Sequence, residues 1–194
     1  EMPAIEAYSK RIKFGAMFSN FTETTNIRLN GVDPEMEFET VPLLLSRVME
    51  GEKALNKGEI FVPELLAKGM KVKVGEMVVD NANNLNGSVN GKQLQVGAIL
   101  ESATGPGGRD GYVHMDDALE ILRMEAPEIS EIAIRVKDFG GLHPTFGTLK
   151  AKLSGELNQQ GKPIFAVHTW EKISPFYNIA RMIDMMTLFV KIML

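Results

Sequence analysis

Cysteine is absent from the 194 residues. That excludes a thiol nucleophile, a CxxC redox pair, a cysteine zinc site and any disulfide. Massed positive charge is also missing. The formal net charge is -4, and no Lys/Arg block stands anywhere in the chain, which argues against a nucleic-acid partner. The three histidines are His114, His143 and His168. None has a second ligand at HxxxH or HExxH spacing, so no metal centre is expected. There is no GxSxG nucleophile elbow. Gly105-Pro-Gly-Gly-Arg-Asp-Gly lacks the spacing and the Lys-Ser/Thr of a P-loop, and reads as a flexible connection. The paired carboxylates Asp116 and Asp117 are accounted for by a helix cap. No cofactor is expected, and an enzyme active site is not. No leader sequence opens the chain. No uncharged run reaches the ~20 residues of a membrane span. The C-terminal segment comes nearest, but Arg181, Asp184 and Lys191 interrupt it.

What is present suits a folded domain. The chain is 44% hydrophobic and 24% charged, an ordinary globular balance. Residues 7–19 alternate as a strand, with Ile12, Phe14, Ala16 and Phe18 on one face. Residues 27–32 are a second strand, and Asp33-Pro34 closes the hairpin. The spacing predicts a helix over 40–51, with Thr40 as its cap, Pro42 in its first turn, Val41, Leu44, Leu45 and Val48 buried, and Gly51 as its end. Ile60 to Val62 is a short strand. Pro63 starts one helical turn that Gly69 stops. Residues 77–79 and 94–100 are strands around a polar stretch, 80–91, that holds two Asn-Gly steps. Asn-Gly is the strongest short-range hairpin signal.

Further on, residues 112–115 form a strand. Asp116 or Asp117 caps the next helix, with Asp117 and Glu120 spaced as a capping box. Ala118, Ile121 and Leu122 face inward, and Pro127 marks the end. Residues 129–137 are a strand with Ile132, Ile134 and Val136 on one side. Pro144 and Thr145 open a helix whose stripe is Phe146, Leu149, Leu153 and Leu157, ended by Gly161. A final strand spans 163–167. After Trp170 and the Ser174-Pro175 step comes a long apolar helix that reaches Leu194 with no stop signal, as if the chain continued. Arg181, Asp184 and Lys191 fall within roughly 80° of one another on it. The whole is α+β, with βα units at both ends and a strand-rich middle.

The order of these pieces resembles the extracytoplasmic domain of MacB/Lol-type (FtsX-like) ABC transporter permeases. Ile27-Arg-Leu-Asn-Gly-Val-Asp-Pro-Glu is similar to the family's strand ending in GVDP. Gly58-Glu-Ile-Phe-Val-Pro-Glu-Leu-Leu-Ala-Lys and Val72-Lys-Val-Gly-Glu resemble the segment that follows. So do Gly111-Tyr-Val-His-Met-Asp-Asp-Ala-Leu-Glu-Ile-Leu, the strand Ile129 to Lys137, and Thr169-Trp-Glu with Asn178 leading into the apolar helix.

The resemblance implies a two-lobed periplasmic domain. Residues 1–57 and 127–175 would make a membrane-proximal βα lobe, 58–126 an inserted strand-rich lobe, and 176–194 a helix leading to the second membrane span. It implies a permease of the inner membrane with this domain in the periplasm, without chemistry of its own. The partners would be an ABC ATPase subunit reached through the membrane part, a second permease copy or paralogue, a periplasmic carrier chaperone or adaptor protein, and the membrane itself through flanking helices. The exported substrate would be lipoprotein, drug or peptide. By position, the hairpin Asn83, Asn84, Leu85, Asn86, Gly87, Ser88, Val89, Asn90, Gly91 and Lys92 matches the loop that engages the carrier. Two other readings stand beside this one: an ectodomain that regulates a cell-wall hydrolase, and a small stand-alone enzyme.

Overall fold

The computed structural model describes residues 4–83, 89–102 and 110–193. The chain separates into two compact units. One is residues 6–135; the other joins 1–5 to 136–194.

The larger unit is built on one sheet. Its strands are β1 (Ile5–Ser19), β2 (Thr24–Val32), β3 (Val48–Gly51), β4 (Glu59–Pro63), β5 (Met77–Asn83), β6 (Val89–Leu100), β7 (Asp110–His114) and β8 (Glu131–Val136). The hydrogen-bonded order is β2-β7-β4-β6-β5-β1-β8, and β1 also pairs with β2. Six strands therefore close into a ring. β3 hangs from β6, and β8 extends the sheet beyond β1. Strands from both sides of positions 57 and 126 share this one sheet. Two pairings in the ring are parallel, β2 with β7 and β4 with β6; the other four are antiparallel.

Closure explains the local sequences. β4 is paired on both edges and buried on both faces, so Ile60, Phe61 and Val62 form an unbroken apolar run. Ile60 and Val62 join the ring's core with Ile12, Phe18, Leu29, Val78, Leu94 and Val96. Phe61 faces the other way, into a second cluster with Leu44, Leu55 and Leu100.

Among the described residues four helices dress the ring. They are α1 (Pro34–Thr40), α2 (Leu43–Ser46), α3 (Glu64–Met70) and α4 (Met115–Leu122). Helix α4 puts Ala118, Ile121 and Leu122 into the core, the three residues its pattern assigns there. It lies so close over β2 that a Cβ built on Gly31 would overlap the Cβ of Ala118. Gly31→Ala is expected to cost about 1–3 kcal/mol by overpacking. A urea titration checks this; a variant as stable as the wild type would show that α4 is free to lift.

Several sequence expectations are corrected. The helix expected over 40–51 is not there. Helix α1 comes earlier, with the Asp33 side chain accepting from Met36 N and Pro34 in its first turn. Thr40 is thus the end of a helix rather than a cap, and α2 has four residues. Val48 starts β3 because an edge of β6 is open there, and it pairs with Leu100. Gly51 has φ 96, and a Cβ on it would overlap Gly97 O. It serves the close approach of β3 to β6.

Gly69 lies inside α3. The helix ends instead at Lys71, in the left-handed region at φ 54, with Val72 N donating to Ala67 O. α4 ends in the same way at Arg123, with φ 52 and Met124 N on Leu119 O. Both have the hydrogen-bond pattern in which glycine is usual. The α4 cap is His114, whose Nδ1 accepts from Asp116 N, and not either aspartate. The strand over 129–137 is present as β8, with Ile132 and Ile134 exposed.

The smaller unit carries α5 (Leu142–Leu153), α6 (Trp170–Ile173) and α7 (Pro175–Met193). The strand expected over 163–167 does not form. Pro163 makes a single bridge with Leu157, and Ile164 N donates to Glu156 O across a short turn. Leu157 belongs to that turn, is exposed, and lies outside the α5 stripe. The Trp170 and Tyr177 rings meet edge to face at 5.5 Å. Arg181, Asp184 and Lys191 are the charged residues of α7 among its mostly apolar, exposed side chains. Among the described residues no helix is long and apolar enough to cross a membrane.

Candidate functional site

The candidate hairpin is the paired end of β5 and β6. Its register runs from Met77 opposite Gln95 to Asn83 opposite Val89. Both strands are longer than the sequence pattern suggests. Asn84, Leu85, Asn86, Gly87 and Ser88 lie outside the described residues. The second Asn-Gly step, Asn90-Gly91, is within β6, opposite Ala82 and Asn81. It is therefore strand and not turn.

Alternation along β6 separates the described candidates into two sets. Asn90 and Lys92 share the inward face with Leu94 and Val96. Val89 and Gly91 take the other face, and Val89 is well exposed. The inward pair grips α4. Asn90 Nδ2 donates to Glu120 O at 3.0 Å and Ile121 O at 3.1 Å. Arg123 Nη2 donates to Asn90 Oδ1 at 3.4 Å. Lys92 Nζ lies 2.9 Å from Asp117 Oδ1 and also pairs with Glu120. A Cβ on Gly91 would overlap Asn81 Oδ1. A side chain at position 91 would therefore require Asn81 to turn aside.

The electrostatics of this root are unusual for so small a region. Asp117 is fully buried, and its Oδ2 accepts from Gly58 N at 2.7 Å. It is thus a structural carboxylate, not a cap. Burial opposes the charge on Lys92, but the carboxylates of Glu120 and Asp117 outweigh burial and raise its pKa. Asp80, on the inward face of β5, is fully buried, and among the described residues neither of its oxygens has a hydrogen-bond partner. Burial pushes its carboxyl up to about 7. The Val78-x-Asp80-x-Ala82 alternation carries the signal that places Asp80 inside. It is hidden in the polar run that reads as loop.

Beside the hairpin root is a cavity of about 210 Å³. Gly15 and Met17 of β1, Asn26 and Ile27 of β2, and Ala82 and Val89 of the hairpin line it. Among the described residues the lining carries no charged one. This recess, which mixes apolar side chains with Asn26 and Asn81, adjoins exposed Val89, so the hairpin root offers an uncharged surface there. No three His, Cys, Asp or Glu among the described residues are grouped to hold a metal ion.

No protein-family profile matches the chain, and no curated protein matches it in sequence. Its fold does have solved counterparts. The extracellular domain of the noncanonic ABC-type transporter YknZ from Gram-positive bacteria superposes with a TM-score of 0.61 at 15% identity, covering 86% of this chain and 83% of that one. The periplasmic region of MacB from Actinobacillus actinomycetemcomitans gives a TM-score of 0.61 at 12% identity, covering 89% of this chain and 76% of that one. The chain thus has the α+β fold of MacB-like extracytoplasmic transporter domains.

Proposed function

From a chain that shares the fold of ABC-transporter ectodomains, we propose an extracytoplasmic domain of an ABC transporter permease, a module that binds a partner and transmits movement. The observation that carries this reading is the superposition over 86% and 89% of the chain on two such domains. In this reading the domain sits outside the inner membrane of its cell. The ATPase that drives it is another chain or domain, and the apolar α7 leads toward the bilayer. The β5–β6 hairpin is the contact for a carrier chaperone or adaptor protein. Its neutral flank, Val89 with the recess beside it, meets the partner. Asn90 and Lys92 hold the hairpin in place for that contact.

The test is site-specific photocrosslinking in the cell that makes the protein. A crosslinker at Val89 is expected to trap a second extracytoplasmic protein. The same group at Leu94, inside the core, is expected to trap none. Replacing residues 84–88 with Asn-Gly should leave the melting temperature within about 2 °C, since surface changes cost little, and should abolish the Val89 crosslink. The absence of any Val89 crosslink would remove the hairpin from the interface, and one that survives the shortening would remove residues 84–88 from it. A melting temperature that drops sharply would show the tip to be part of the fold.

A further inference from the structure

The root of the hairpin brings Lys92 and Arg123 together with three carboxylates, and among the described residues one of the carboxylates has no hydrogen-bond partner. Asp80 stands directly between two cross-strand neighbours. Phe18 on β1 is opposite it on one side and Lys92 on β6 on the other. Residues directly opposite in an antiparallel pair point to the same face with their Cβ atoms about 5 Å apart. Lys92 thus starts beside Asp80. Its ammonium group extends away, to Asp117 Oδ1 at 2.9 Å and to Glu120. Among the charged groups facing this spot, β6 supplies Lys92, α4 supplies Asp117 and Glu120, and β1 supplies only the apolar Phe18. Arg123 is directed to Asn90 Oδ1.

A carboxyl held fully buried without a hydrogen bond is tolerable when neutral and costly when ionised. Once ionised, it draws the nearest mobile cation. Asp117 keeps an alternative partner in Gly58 N at 2.7 Å, and Glu120 is exposed to water. Glu120 can release Lys92 to water at low cost, while Asp117 Oδ1 and Asp80, both buried, compete for the one ammonium group.

We propose that Asp80 and Lys92 form a proton-operated switch at the hairpin root. With Asp80 protonated, Lys92 clamps the hairpin to α4, the arrangement seen here. When Asp80 gives its proton to solvent, Lys92 turns back to it, and the clamp on Asp117 and Glu120 opens. The Asn90 hydrogen bonds to the end of α4 remain as the hinge. Burial places the Asp80 carboxyl at about 7, while the Lys92 ammonium stays charged. The switch works within the chain and stands whether or not the hairpin meets a partner.

Carboxyl-carbon NMR on the full chain with labelled aspartate tests it, with Asp80→Asn to assign the signal. One aspartate is expected to titrate near neutrality. The Lys92 side-chain nitrogen shift should follow the same midpoint and become flat in Asp80→Asn. Lys92→Met should raise the Asp80 midpoint by about one unit, a tenfold change in its ionisation constant, because an opposite charge nearby favours the ionised form. Asp117→Asn removes the competitor for Lys92 and should lower the midpoint. A Lys92 signal that ignores the Asp80 titration, or an Asp80 midpoint unmoved by both Lys92→Met and Asp117→Asn, would overturn the switch. Should Lys92→Met fail to fold, the Asp117→Asn shift and the Lys92 signal decide it.

Discussion

Glu37→Ala is expected to destabilise the barrel unit by about 3 kcal/mol, the low end for breaking one side of a buried ion pair. Glu37 is fully buried on α1. It accepts two hydrogen bonds from one guanidinium, Arg11 Nε at 3.0 Å and Arg11 Nη2 at 2.7 Å. Such bidentate pairs fix geometry as well as energy. Removing the carboxylate leaves Arg11 mostly buried with a charge to satisfy. The low end applies because Arg11 Nη1 still reaches Glu131 Oε1 at 2.8 Å, and Glu131 is partly open to water. Urea unfolding checks it through a lower midpoint at unchanged slope. The double variant Arg11→Met with Glu37→Met should lose less than Glu37→Ala alone, because no orphan charge remains. A loss under about 1 kcal/mol in Glu37→Ala would mean that Arg11 finds solvent without help, and that the pair is not a fixed joint between β1 and α1.

The second large effect is on the pH dependence of stability. The folded-state pKa of Asp80 is raised from 3.8 to about 7 by burial. A raised acid means that the folded protein holds a proton the unfolded chain has lost. Stability is then complete below the unfolded value and falls as pH rises toward the folded one. Between pH 5 and pH 7, where the folded group is half ionised at the upper end, that is about 2 kcal/mol. The loss is smaller to the extent that Lys92 turns to the ionised carboxylate. Asp80→Asn cannot ionise. Relative to the wild type it should gain stability from pH 5 to pH 8 by up to that amount, and then change no further. Parallel denaturant curves at pH 5, 6, 7 and 8 read the difference directly. Two curves that stay parallel across the range would show that Asp80 is hydrated or paired in solution.

The β1–β2 hairpin, the buried run of β4 and the inward face of α4 were legible because local pattern and burial agree in each. Ile12, Ala16 and Phe18 alternate, and they are core. The reading failed where a distant strand decided the outcome. Val48 fits a helix pattern with Leu44 and Leu45, yet Leu100, fifty-two residues further on, draws it into β3. Closure of the ring has no local signature, since it depends on pairs such as Arg28 with Asp110. The hairpin root misled in a different way. Asp80, Asn90 and Lys92 are loop-like residue types in a polar stretch, and only the strand pairing shows that all three point inward. Lys71 and Arg123 end their helices without glycine, and Asp117 reads as a cap until Gly58 and Lys92 are seen around it.

The ring also sets the order in which the larger unit assembles. Its β5–β6 pairing spans a short loop and costs little entropy to close. The joints that complete the sheet do not. The Arg28–Asp110 contact joins residues 82 apart in sequence, and Arg11–Glu131 joins residues 120 apart. Folding rates fall as such non-local contacts come to dominate. The hairpin is therefore the natural early element and the β2–β7 seam a late one. Until that seam forms, the edges of β2 and β7 are open, and Leu29, Val32 and Val113 are exposed beside them. This interval before closure is when the chain is most vulnerable to proteases and to pairing with its neighbours.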